Sequence, residues 1–174
     1  TMARAANPRT KLVFVANPDN PTGTYVATQE LEEFLQRLPS QTITVIDEAY
    51  YDFVQARDYP QTLRDLERYP ILITRSFSKS YGLAGLRIGY GIAQPSLIAA
   101  MEAVREPFNV NSLAQVAATA ALADAAFLAR SRRMVQEGRR YLAKELATLQ
   151  LRVIPSVTNF LLVEVGPKAA QIAS

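Results

Sequence analysis

Three short runs constrain the fold most: Lys11–Ala16 (KLVFVA), Thr42–Ile46 (TITVI) and Ile71–Thr74 (ILIT). Each is apolar almost without interruption and each ends in a polar cluster. A run with no polar face to offer water reads as a strand covered on both sides. Between the first two, Leu31, Phe34, Leu35 and Leu38 recur at helical spacing, which predicts an amphipathic helix with Thr28 as its N-cap. Thr62 and Asp65 resemble a capping box that opens a short helix, and Ile88–Ile92 reads as a fourth strand. This alternation predicts an α/β fold, a mostly parallel sheet with helices on both faces.

Beyond Pro95 the character changes. Pro95 opens a helix to about Arg105, Ser112–Ala123 is Ala-rich and helical, and Phe127–Leu149 is a long amphipathic helix. Leu151–Ile154 and Asn159–Val165 then read as strands around Pro155. The shift near Thr148–Pro155 marks a boundary: residues 1–147 form the major part of a large domain, and residues 148–174 begin a smaller α+β domain. Lys168–Ser174 reads as the opening of a helix, and Lys11 enters directly into a core strand. The chain is therefore expected to be an internal segment of a longer protein.

Absences narrow the chemistry. The 174 residues include no Cys, His or Trp. That excludes disulfides, thiol nucleophiles, His-based triads and Cys or His metal sites, and no metal is expected. Acid-base work falls to carboxylates, Tyr, a cofactor, or one of four lysines, Lys11, Lys79, Lys144 and Lys168. Thr1–Arg9 has no apolar core of a signal peptide, and charges interrupt every apolar stretch short of a membrane span. A cytoplasmic protein with no membrane partner is expected. Arg130, Arg132, Arg133, Arg139 and Arg140 crowd one helix, but Phe127, Leu128, Met134, Val135, Tyr141 and Leu142 interleave as a stripe expected to be buried. With a net charge of only +3, the arginines read as a solvated face and not as a nucleic-acid surface.

Parallel α/β sheets collect ligands at the carboxyl ends of their strands. Lys79 follows the third strand, and a lysine partly buried there would lose its proton more easily and attack a carbonyl to form a Schiff base. Alone it reads first as a surface loop lysine. Ser76, Ser78 and Arg87 offer hydroxyls and a guanidinium for a phosphate, although serines and glycines also simply build turns. Asp47 ends an apolar strand and is expected to be buried, either paired with a pyridinium nitrogen or with an Arg, or capping a helix. Tyr50 offers a phenol to a ligand oxygen. Asn20, between Pro18 and Pro21, offers an amide to a phenolate oxygen or serves the turn alone.

Taken together, Asn17-Pro18-Asp19-Asn20-Pro21-Thr22-Gly23, Asp47-Glu48-Ala49-Tyr50 and Ser76-Phe77-Ser78-Lys79 through Gly85-Leu86-Arg87-Ile88-Gly89 resemble, in order and spacing, the signatures of class I/II pyridoxal-phosphate aminotransferases of fold type I. Softer features, Thr24-Tyr25-Val26, Tyr81–Gly85, Pro107–Asn111 and Asn159–Val163, resemble the histidinol-phosphate aminotransferase branch. The resemblance implies that Lys79 attaches pyridoxal 5'-phosphate and then carries the proton between substrate and cofactor. It implies that Asp47 holds the pyridinium nitrogen, that Tyr50 and Asn20 contact the cofactor's O3′, and that Ser76, Ser78 and Arg87 bind its phosphate. The implied reaction moves an amino group between histidinol phosphate and 2-oxoglutarate in histidine biosynthesis. A sister enzyme such as a phosphothreonine decarboxylase, or a catalytically silent segment, is the alternative. A small amino donor and a 2-oxo acid are the implied partners, with a homodimer at full length. The family's N-terminal phosphate loop, ring-stacking aromatic and cross-dimer Tyr, and its C-terminal substrate-gripping Arg, match no position here. The chain is expected to carry the Schiff-base half of a site and to be inactive in isolation.

Overall fold

The computed structural model describes residues 2–172. After a short helix α1 (Met2–Ala5), strands β1 (Leu12–Ala16), β2 (Ile43–Asp47), β3 (Ile71–Ser76) and β4 (Gly89–Ala93) form one sheet in the order β1-β2-β3-β4. The first three are parallel and β4 runs antiparallel to β3. The exception has a local cause. A parallel neighbour needs a long crossover, but the β3–β4 connection contains only a single 3₁₀ turn, Ala84–Leu86, and folds straight back. Lys79 and Arg87 ride on that return loop.

Helix α2 (Thr28–Gln36) lays Leu31 and Leu35 on Ile46, Ile71 and Ile73, with Val26, Phe34, Leu38 and Ile92 around them. Its N-cap is Ala27 and not Thr28. The Glu30 carboxylate accepts the Ala27 N–H at 3.2 Å, while the Thr28 hydroxyl donates to the Asp58 carbonyl at 2.8 Å. The Thr62–Asp65 capping box is likewise absent. A 3₁₀ helix, Thr62–Glu67, starts at Gln61 without a side-chain cap, because Thr62 turns inward to a buried carboxylate described below.

β1 lies at the sheet edge. Leu12 and Phe14 are exposed, so the expectation of a strand covered on both faces is not met for β1 among the described residues. Helices α3 (Pro95–Glu102), α4 (Ser112–Ala123) and α5 (Ala125–Thr148) follow. The Asn111 and Asp124 side chains cap α4 and α5, each accepting a backbone N–H at 2.8 Å, which moves the start of α5 back to Ala125. The α5 stripe is not buried: Phe127, Met134, Tyr141 and Leu142 are exposed, although α4, β5 and the turn at Tyr51–Phe53 pack against this helix. No single helix among the described residues is long and apolar enough to cross a membrane.

Strands β5 (Arg152–Ile154) and β6 (Leu162–Glu164) pair antiparallel as a separate sheet, followed by α6 (Ala169–Ile172). The connection between them, residues 155–161, leaves the hairpin and crosses back to the loop after β1. There the Val157 N–H donates to the Gly23 carbonyl at 2.8 Å.

Candidate active site

The parallel register aligns Ala16, Asp47 and Thr74 in one row at the carboxyl edge of the sheet. The ladder runs on into the loops: the Asn17 N–H donates to the Asp47 carbonyl at 3.0 Å and the Glu48 N–H to the Thr74 carbonyl at 2.8 Å. All three polar clusters therefore start at the same edge, as the topology dictates.

The loop after β1 is held rigidly. The Asn17 side chain donates to the Val26 carbonyl and accepts the Val26 N–H, at 3.2 and 2.8 Å, and Asp19 accepts the Thr22 hydroxyl at 2.6 Å. Gly23 has a φ of +73°, and a Cβ there would lie 2.2 Å from Ser156 Oγ, so both backbone and space demand glycine. This loop delivers Asn20 to Tyr50: Asn20 Nδ2 donates to Tyr50 Oη at 3.1 Å. The Tyr50 ring is buried, with Phe160 edge-on at 5.2 Å between centroids and Lys79 Nζ 5.3 Å from its own centroid. Asn20, Tyr50 and Lys79 are thus brought together from three loops.

Two expectations are corrected here. Asp47 is exposed, not buried; its Oδ1 accepts the Ala49 N–H at 3.0 Å and the Thr74 hydroxyl at 3.3 Å. The buried carboxylate is its neighbour. Alternation along β2 sends Glu48 to the Thr44 and Ile46 side and leaves Asp47 at the open edge. Lys79 is also exposed and not partly buried.

Ser76 and Ser78 are joined locally, the Ser78 N–H donating to Ser76 Oγ at 3.0 Å. The antiparallel register pairs Ser76 with Gly89 and continues through a Phe77 N–H to Ile88 carbonyl bond at 3.2 Å, which brings the chain carrying Arg87 back toward the two serines. Arg87 has a φ of 54° and donates to the Ala84 carbonyl at 2.8 Å. No side-chain bond links it to either serine; the three share one loop mouth but are not assembled into a closed cradle. Gly89 permits the close return, since a Cβ there would meet the Arg75 carbonyl oxygen at 2.7 Å.

Beneath the edge lies a network that sequence reading missed. Glu48 Oε2 accepts Arg75 Nε and Nη2 at 2.9 and 2.8 Å, Glu48 Oε1 accepts the Thr62 hydroxyl at 2.5 Å, and the Arg75 guanidinium stacks on the Tyr51 ring at 3.8 Å. Burial pushes the Glu48 carboxyl above its usual range, while Thr62 and Arg75 pull it back. Burial opposes the Arg75 charge, but Glu48 and Tyr90 hold it on. The buried Tyr59 phenol donates to the Asn17 carbonyl, and burial pushes its ionisation well above the usual tyrosine range. Period-two alternation at Asp47-Glu48 was the one available signal for this network. Phe160, distant in sequence, had none.

The donor set suits pyridoxal phosphate. An open carboxylate at Asp47 would suit a cationic ring nitrogen, the paired Asn20 amide and Tyr50 phenol would suit a phenolate oxygen, and Lys79 offers an amine. The Ser76 and Ser78 hydroxyls and the Arg87 guanidinium suit a phosphate. An exposed, unsequestered Asp47 fits that role better than a carboxylate already committed to an arginine, as Glu48 is.

Comparison with known proteins places the chain among relatives of known family. The chain is 53% identical over 165 residues to histidinol-phosphate aminotransferase 1 of Nitrosococcus oceani, covering 94% of this chain and 45% of that protein. It superposes with a TM-score of 0.84 and 35% identity on histidinol-phosphate aminotransferase from Sinorhizobium meliloti, solved in complex with pyridoxal-5'-phosphate, over 91% of this chain and 43% of that one. L-threonine-O-3-phosphate decarboxylase from Porphyromonas gingivalis matches at a TM-score of 0.76 and 28% identity, over 90% of this chain and 48% of that one. The chain spans about half the length of these relatives. The model of the aminotransferase class I and II family matches residues 1–174, and the chain belongs to that family.

Proposed function

We propose that the full-length protein containing this chain is a pyridoxal-phosphate aminotransferase acting between histidinol phosphate and 2-oxoglutarate. The observation that carries the reading is the convergence of Asn20, Tyr50 and Lys79, with Asn20 donating to Tyr50 at 3.1 Å and Lys79 Nζ above the Tyr50 ring. The identity to a histidinol-phosphate aminotransferase supports the substrate.

Pyridoxal phosphate, when bound, supplies an electron sink for a carbanion beside nitrogen. Lys79 Nζ would hold the cofactor, and its free amine would serve as the acid-base that moves a proton to and from the substrate's α-carbon. In a chain without histidine, Lys79 is the group positioned for that transfer. Asp47 would hold a proton on the ring nitrogen, Asn20 and Tyr50 would orient the ring through its O3′, and Ser76, Ser78 and Arg87 would anchor the phosphate.

Residues 1–147 belong to the cofactor-binding large domain and 148–174 begin the smaller one, a division supported by the separate β5–β6 sheet. The full-length protein is a homodimer, which light scattering on the purified protein tests, and is cytoplasmic, which cell fractionation tests.

Borohydride reduction of the holoenzyme followed by peptide mass mapping tests the assignment. A label on Lys79 is expected; a label on Lys11, Lys144 or Lys168, or none, refutes it. A second reading, decarboxylation of a phosphorylated threonine, is favoured by the similarity to the P. gingivalis enzyme. Carbon dioxide release from O-phosphothreonine, without transamination of histidinol phosphate, would establish it instead.

A further inference from the structure

Asp52 lies two residues beyond Tyr50, on the 3₁₀ turn Tyr51–Phe53, and its two oxygens reach in different directions. Oδ2 accepts the hydroxyl of Ser80 at 2.5 Å, and Oδ1 accepts Arg132 Nη2 of α5 at 3.1 Å. Ser80 is the residue after Lys79 and is 2% exposed, whereas Lys79 itself is exposed. The lysine thus projects from a turn whose neighbouring residue is locked down. The rest of that turn is fixed by the Phe77 ring, packed on Tyr81 and Tyr90 with centroids 5.0 and 5.5 Å apart. The same carboxylate therefore joins three pieces of chain: the turn that carries Lys79, the turn that carries Tyr50, and the long helix.

We propose that Asp52 is a positioning residue for Lys79, holding its turn over Tyr50 through Ser80 while Arg132 fixes the carboxylate. This rests on Lys79 being the cofactor-holding lysine. The physical reason is mechanical. A long, flexible amine reaches a reacting atom reproducibly only if its backbone is fixed, and misplacement by an ångström costs rate, not ground-state binding. The Asp52–Ser80 bond is mostly shielded from water, so its loss is not made good by solvent. Arg132 counters the desolvated carboxylate and keeps it from turning outward. None of the three needs to touch substrate, so the amino donor's apparent affinity should barely change.

The test uses the full-length holoenzyme. Borohydride mapping of the wild type comes first: label away from Lys79 removes the underlying cofactor assignment and this inference with it. With label on Lys79, Ser80→Ala, Arg132→Gln and the double variant are compared by steady-state kinetics, thermal melting and visible circular dichroism of the bound cofactor. Ser80→Ala is expected to lower kcat by about tenfold with KM for the amino donor within about twofold, and to change the visible dichroism band. The double variant is expected to cost clearly less than the product of the two single effects, because both cut one chain. Unchanged kcat and dichroism with only a lowered melting temperature, or full additivity of the two variants, would overturn the proposal while leaving the cofactor assignment standing.

Discussion

Asn20 donates its amide to the Tyr50 phenol at 3.1 Å, joining the loop after β1 to the loop after β2 across 30 positions of sequence. The bond aims two polar groups at one point, where a single ligand oxygen would meet both. Removing the phenol leaves the buried ring and its Phe160 contact in place. Tyr50→Phe is therefore expected to lower kcat/KM by about tenfold and to weaken cofactor retention, with little change in melting temperature. Fluorescence titration of the apoenzyme with pyridoxal phosphate checks it; unchanged affinity and rate would remove Tyr50 from the site.

Lys79 is the one lysine in the sequence of the β3–β4 return, and its Nζ lies 5.3 Å from the Tyr50 ring centroid. Lys79→Ala is expected to lower turnover by about a thousandfold or more, as for loss of a general acid-base group, and to abolish the borohydride-stable label. Retained label in this variant would contradict the assignment.

Glu48 is wholly buried and both its oxygens are engaged, so the consequence of removing it falls on Arg75. Glu48→Ala would leave a guanidinium with 15% of its side chain exposed and no carboxylate. A loss of about 3 kcal/mol or more is expected, read from the urea midpoint of the full-length protein. A loss within that of a surface substitution would mean that the pair adds nothing.

Tyr59 gives a pH signature. Burial raises its ionisation in the folded protein above the usual tyrosine value of about 10, which it has when unfolded. A raised folded value contributes stability below the unfolded one and loses it as pH rises. The stability advantage of wild type over Tyr59→Phe is therefore expected to shrink between about pH 8 and about pH 11, as unfolded Tyr59 ionises near its ordinary value of about 10. Urea midpoints of both proteins at the two pH values measure it; a constant gap would show that Tyr59 ionises alike in both states.

What could be read from sequence was whatever topology compels. Parallel strands put the clusters at Asn20, Asp47 and Lys79 on one edge whatever lies between them, and the Asn20, Tyr50 and Lys79 convergence follows from that. Details set by a single residue of phase were not legible in the same way. Asp47 and Glu48 exchange roles under a one-residue shift, and apolar flanks alone do not reveal which carboxylate turns inward. Thr62 looked like a cap because Asp65 stood three residues on, yet a buried carboxylate from another strand end claimed its hydroxyl. The α5 stripe had the right period, but periodicity says only that a face seeks cover, not that this stretch of chain provides it.

The return of residues 155–161 to the Asn17–Gly23 loop has a temporal consequence. A chain growing from its N-terminus can pair β1, β2 and β3 and bring Asn20 to Tyr50 well before residue 160 has been made. Until then the Tyr50 ring lacks its Phe160 contact, and the Gly23 carbonyl lacks the Val157 N–H. The cluster is thus framed early and finished late. A nascent protein halted before this crossing would hold the lysine, the asparagine and the tyrosine without the Phe160 contact.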